Sequence, residues 1–225
     1  MESIKELRKL CQEKGYREHD SIRFHRFFSI YVTRIFLMLG LGPNFISFLS
    51  FLMGIIGGFF YFKSLFFWGS IFFFLFYLLD NVDGEVARYR KLSSRLGYWL
   101  DTSIGHLLYP VFFFTLGLGI FNQTGEVSYI VLGAVASISK LVERSVPQIK
   151  NIEKGDVGIL KRNDISSLKM WVSYFAKYSV ITIIVIMASL LGQVRLFLWF
   201  YAPFLLFLAL GKVILTGWRI YRYNR

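Results

Sequence analysis

Asp80-Asn81-Val82-Asp83-Gly84-Glu85-Val86-Ala87-Arg88, followed by Gly97-Tyr98-Trp99-Leu100-Asp101, puts charge where an apolar chain should have none. Ahead of it Leu65 to Leu79 are fifteen residues without a charge, and behind it Leu107 to Asn122 are sixteen more. Carboxylates between such spans each cost roughly a few kcal/mol and mark a site more often than a scaffold. The plainer alternative is a pair of helix ends with solvated acids. It requires three acids to share this pattern by accident.

As a helix, Asp80, Asp83, Gly84, Ala87 and Arg88 follow i, i+3, i+4, i+7, i+8 spacing and share one stripe. Two carboxylates one turn apart suit a hard divalent cation, which binds carboxylate oxygen and completes its shell with water and substrate phosphate. Gly84 and Ala87 leave room beside those acids, and Arg88 supplies a planar fork for phosphate. Gly97 and Asp101 lie one turn apart on the next helix, so a third carboxylate faces the first two. At 1.5 Å per residue, Asp83 and Asp101 each lie about 9–11 Å from the basic turn between Arg90 and Arg95.

The pattern Asp-x-x-Asp-Gly-x-x-Ala-Arg, eight residues, then Gly-x-x-x-Asp resembles the signature of the CDP-alcohol phosphotransferases (CDP-alcohol phosphatidyltransferases). Seven fixed positions match over twenty-two residues. The resemblance implies a six-helix integral membrane enzyme, usually dimeric. It would pass a substituted phosphate from a CDP-linked donor to an alcohol and release CMP, with two bound metal ions. It also implies that Pro43 and Asn44, with Asp83, Gly84, Ala87, Arg88 and Ser94, border the nucleotide. One position departs. The family's fourth aspartate, a second-metal ligand and the usual proton acceptor, falls at 105, where this chain has Gly105, followed by His106.

Composition sets the class. Of 225 residues 55% are hydrophobic and 19% aromatic, a polytopic membrane profile. Cys11 is the single cysteine, which excludes an intrachain disulfide and cysteine-clustered metal sites. Residues 1–24 are polar and hold no apolar signal core, so no cleavable leader is expected. Residues 25–41 mix Phe, Ile and Leu with Arg26 and Arg34, which suits a helix lying in the membrane interface. Gly42-Pro43-Asn44 then breaks and restarts the chain. The expected fold is all-α: residues 1–42 as a cytoplasmic, interfacial segment with an amphipathic helix, and residues 43–225 as a six-helix domain. Its spans fall near 44–62, 65–89, 96–121, 127–147, 170–191 and 196–218, with 148–168 as the one sizeable polar loop.

The net charge of +12 follows topology. Lys and Arg number eight through residue 42, four over 88–95, eight over 140–177 and four from Lys212, whereas only Lys63 and Arg195 occupy the other loops. That asymmetry places both termini and the acidic site on the cytoplasmic side and argues against nucleic-acid binding. Lys140 and Arg144 (i, i+4) and Lys177 fall near the aspartates in depth. They form either a basic pocket for acceptor or lipid phosphate, or long side chains snorkelling to headgroups. Asn122-Gln123-Thr124 matches a glycosylation sequon in a very short outward loop, where it carries no weight.

The expected function is transfer from a CDP-linked donor, CDP-diacylglycerol or another CDP-alcohol, to an alcohol acceptor. Asp80, Asp83 and Asp101 would hold Mg²⁺ or Mn²⁺ in one site, with a weaker second site. Asp101 and His106 are the expected catalytic residues. A histidine titrates near neutrality, as a base should. In a regular helix His106 points about 140° away from Asp101, but Pro110 disturbs the turn at His106 and could swing it back. The expected partners are donor, acceptor, membrane lipid and a second copy of the chain. The alternatives are a relative inactivated by Gly105, binding nucleotide or lipid only, and an acid-lined ion conductor.

Overall fold

A computed structural model describes residues 2–12, 20–153 and 177–223. Among these residues are eight helices and no strand: α1 Ile4–Cys11, α2 Asp20–Met38, α3 Pro43–Phe62, α4 Phe66–Tyr89, α5 Arg95–Thr124, α6 Ser128–Glu153, α7 Tyr178–Leu190 and α8 Val194–Tyr223. The ends follow local chemistry. Pro43 opens α3 at N1, where its missing N–H costs nothing. Gly125 closes α5 at φ 74°, donating its N–H to the Phe121 carbonyl at 2.7 Å. The sequon residue Asn122 is used locally: its Nδ2 donates to the Phe62 carbonyl at 2.8 Å.

The polar first 24 residues include α1. Its capping box has Ser3 N–H on the Glu6 carboxylate at 2.7 Å and Glu6 N–H on Ser3 Oγ at 3.3 Å. The fourth helix does not stop at 147 but continues to Glu153, into the expected loop. The rest of that loop, and the fifth span before 177, lie outside the described residues. The expected break at Pro110 does not occur, since α5 runs through it unbroken.

Among the described residues, four helices are long and apolar enough to cross a membrane: α3, α4, α5 and Val194–Trp218 of α8. The 13-residue α7 is apolar but shorter, and α6 carries Lys140, Glu143 and Arg144. The outward face is apolar, with Phe200 76% exposed beside Phe207 and Ile214, as a lipid-facing surface requires. Helix α2 is inverted in the same sense. Its His25, Ser29 and Thr33 are buried against protein while Phe27, Phe28, Tyr31 and Ile35 face out.

Helix α4 is the hub, touching α1, α2, α3, α5 and α7, while α5 packs along α6 and α6 along α8. Lipid offers apolar side chains no reason to associate, so close contact rests on small residues. A Cβ on Gly117 would stand 2.4 Å from the Tyr129 carbonyl oxygen and 3.0 Å from Gly133 Cα, so α5 and α6 meet backbone to backbone. A Cβ on Gly119 would overlap the Tyr61 carbonyl of α3. Around these contacts Tyr61, Phe73, Phe76, Tyr109, Phe112 and Phe113 form an aromatic core.

Gly117→Val should lower the melting temperature of the purified protein, at a cost of at least about 1–3 kcal/mol from overpacking that backbone cannot relieve. Gly211→Ala, with nothing within 4 Å of the added Cβ, should be neutral in the same thermal scan.

Candidate active site

The N-terminus of α3, the C-terminal half of α4 and the start of α5 enclose a cavity of about 210 Å³. Its wall includes Pro43, Asn44 and Ser47 of α3, Asp83, Gly84, Ala87 and Arg88 of α4, and Ser94, Gly97 and Asp101 around the start of α5. All seven residues expected at the nucleotide are therefore brought together. Two helix N-termini open on this space. At α5, Ser94 Oγ accepts the Gly97 N–H at 3.0 Å; at α3, the N-cap Gly42 offers no side-chain cap. Free N–H groups and the positive end of two helix dipoles make an anion site, which Arg88 reinforces.

The three motif acids do not stand alike. Asp83 is 7% exposed and its carboxylate accepts a hydrogen bond from the Ser47 hydroxyl. Asp101 shares the cavity wall with it. Asp80, one turn before Asp83 on α4, does not line the cavity. Among the described residues no three His, Cys, Asp or Glu side chains are gathered around one point as a metal centre. Two carboxylates on a cavity wall still fit a hard divalent ion whose shell is finished by substrate phosphate and water.

Arg88 is held from behind. Its Nε donates to the Cys11 carbonyl at 2.6 Å, and its guanidinium covers Gly84, where a Cβ would lie 3.2 Å from Nη1. Next to it Glu85, 1% exposed, accepts from Gln12 Nε2 at 2.8 Å, Ser29 Oγ at 2.6 Å and Thr33 Oγ1 at 2.6 Å. Tyr89 OH donates to Glu2 at 2.7 Å. Helix α1 is thus docked on the back of the motif helix. Burial pushes the Cys11 thiol up to about 11, so it stays neutral and only its carbonyl serves the site.

The remaining candidates are placed elsewhere. His106 is not on the cavity wall, and its Nδ1 lies 2.7 Å from the Thr102 carbonyl one turn back. Lys140 is 2% exposed, bonded to Glu143 at 2.6 Å and set 4.2 Å over the Tyr178 ring. Glu143 also pairs with Lys212 of α8. Lys140 therefore neither snorkels nor lines an open pocket. Lys177 was expected two turns inside a span, but it stands at the N-cap of α7, with extended backbone. Arg144 lies 5.1 Å from the Tyr109 ring and directly over Gly105.

A sequence model of CDP-alcohol phosphatidyltransferase matches residues 41–222. The chain belongs to that family. No curated protein sequence matches it. Its fold is similar to a solved Mycobacterium tuberculosis phosphatidylinositol phosphate synthase with CDP-DAG bound, at TM-score 0.55 and 19% identity over 86% of this chain and 92% of that one. The same enzyme in complex with manganese and citrate is similar at TM-score 0.54, again at 19% identity, over 86% and 87%. Among its described residues this member of the CDP-alcohol phosphatidyltransferases is all-helical, with four helices long and apolar enough to cross a membrane.

Four features of this structure escaped the motif. Ser47 lies one turn after Pro43, a spacing that points it along the same face as the nucleotide turn. Glu85 sits inside the motif and Glu143 three residues after Lys140, both visible as charges in apolar helices. The α1 dock had a signal in Ser3-x-x-Glu6. Removing Glu85 takes the carboxylate from the buried hydroxyls of Ser29 and Thr33, so Glu85→Ala should cost on the order of 1–3 kcal/mol. Hydrogen exchange should report it as lost protection in α1 before any loss in α5 or α6.

Proposed function

We propose that this protein transfers a substituted phosphate from a CDP-linked donor to an alcohol acceptor and releases CMP. The donor is CDP-diacylglycerol or another CDP-alcohol, and the product belongs to phospholipid or related lipid synthesis. The observation that carries this is the single cavity joining Pro43, Asn44, Gly84, Ala87, Arg88 and Ser94 to Asp83 and Asp101. A small polar space with two helix N-termini, one guanidinium and two carboxylates fits a diphosphate that carries a divalent ion. A bound Mg²⁺ or Mn²⁺ would withdraw charge from the diphosphate and the departing phosphate oxygen.

The side chains do the rest. Ser47 holds the Asp83 carboxylate toward the cavity, and Arg88, fixed by the Cys11 carbonyl, meets the charge left on CMP. Asp101 is the wall carboxylate nearest in sequence to Gly105, and we assign to it the proton of the acceptor hydroxyl. His106 is the second candidate, but its ring is engaged with its own helix. In the membrane reading, α3 to α8 make six spans, and α6 carries its charges inward. Helices α1 and α2 lie at the cytoplasmic interface, and the basic residues keep both termini and the cavity on that side. A homodimer is the family's usual state and is proposed on that resemblance.

In a thermal-shift assay with millimolar Mg²⁺ or Mn²⁺, CDP compounds should stabilise the protein, and GDP or UDP compounds should not. Asp83→Asn should abolish the shift. Equal shifts from all three nucleotides would sink the donor assignment, and CMP release from no CDP-linked donor would leave a binding-only relative. His106→Ala should keep turnover within about threefold. A loss of about 10²–10⁴-fold with intact nucleotide binding would return the proton to His106.

A further inference from the structure

We propose that Arg144 is the fixed cation of the acidic centre, taking the place of a second metal ion, so that the site holds one divalent ion per chain. This rests on the transfer reaction proposed above and concerns the side of the acids away from the cavity. A Cβ on residue 105 would stand 2.4 Å from Arg144 Nη2 and 2.7 Å from Cζ. The volume that any larger residue at 105 would need is therefore already filled by the guanidinium. Gly105 and Arg144 are a fitted pair across α5 and α6.

The head group is held for a purpose other than packing alone. It rests on the ring of Tyr109, one turn beyond Gly105, while its Nε is buried without a hydrogen-bond partner. Its neighbour on α6, Glu143, already answers Lys140 and Lys212. Gly105 follows Asp101 by one turn of α5, so the guanidinium at Gly105 stands beside the acidic centre, and it is not on the cavity wall. Three carboxylates are then balanced by one divalent ion on the cavity side and one guanidinium behind. A second divalent ion at that spot would have to sit against a like charge at contact range, where repulsion is least screened. Unlike a metal, the guanidinium needs no ligand at 105.

Manganese counting tests this without reference to turnover. In lipid nanodiscs with CDP present, electron paramagnetic resonance titration should give one tightly bound Mn²⁺ per native chain. Arg144→Gln removes the competing positive charge and should tighten Mn²⁺ about tenfold or more. Arg144→Lys keeps the charge and should leave affinity near native. Gly105→Ala displaces the guanidinium and should follow Arg144→Gln, which provides the test if the latter fails to fold. The pair Gly105→Asp with Arg144→Gln should bind two Mn²⁺. Two tight ions in the native chain would overturn the proposal. So would unchanged Mn²⁺ affinity in Arg144→Gln with a raised KM for the acceptor alone, which would make Arg144 an acceptor anchor. No Mn²⁺ in the native chain or any variant would instead bring down the metal-dependent reaction itself, and this proposal with it.

Discussion

A carboxylate carried into an apolar bundle has to be met on the spot, by donors, by a cation or by a bound ligand. The acids inside this chain divide along that line. Glu85 receives three donors from Gln12, Ser29 and Thr33, and Glu143 is closed between Lys140 and Lys212. Asp83 receives one hydroxyl, from Ser47, and Asp101 faces the cavity. The first two are finished and hold helices together. The last two are unfinished by protein groups on their cavity side, and that incompleteness defines the site. One helix, α4, carries both kinds: Glu85 fastens it to α1 and α2, Asp83 lines the cavity, and Arg88 reaches from the Cys11 carbonyl of α1 to the cavity wall.

The small residues decide how far apart the acids stand. Where Gly117 meets Gly133, α5 and α6 touch backbone to backbone, and toward the cavity end they part enough to admit an arginine beside Gly105. Gly119 does the same for α5 against α3 at the end opposite the cavity. These contacts are remote from the chemistry, yet they set the spacing between the walls that carry Ser47, Asp83 and Asp101. A bundle in lipid has dispersion and fit to rely on, with little hydrophobic drive between helices, so the glycines fix position as well as stability.

Much of the architecture was legible because membrane spans and a motif are local signals. Apolar length predicts α3, α4, α5 and α8, and the motif spacing brings seven nucleotide-side residues to one cavity. What escaped depends on partners far away in the chain. Glu85 reads as a filler position inside the motif until α1 and α2 arrive to bond it. Lys140 reads as a candidate for phosphate until Glu143 and Tyr178 are seen around it. His106 keeps to Thr102 because the local hydrogen bond one turn back is satisfied without any distortion at Pro110.

Gly105 is the sharpest case. Along the chain it is a missing acid, and a missing acid suggests a lost function. Across the α5–α6 contact it is the space occupied by a guanidinium carried thirty-nine positions later. The exchange is not chemically neutral. An arginine supplies charge and directed N–H groups, but it cannot bind an alkoxide as a metal does, and at ordinary pH it does not take up a proton. On the proposed reading, replacing an acid and its ion by Gly105 and Arg144 would preserve the charge balance while removing one possible base and one possible ligand for the acceptor oxygen. The proposed reaction would then release its proton to a carboxylate on the cavity wall. Asp101 would carry two tasks, steadying the ion and receiving the proton, that the family resemblance assigns to two residues.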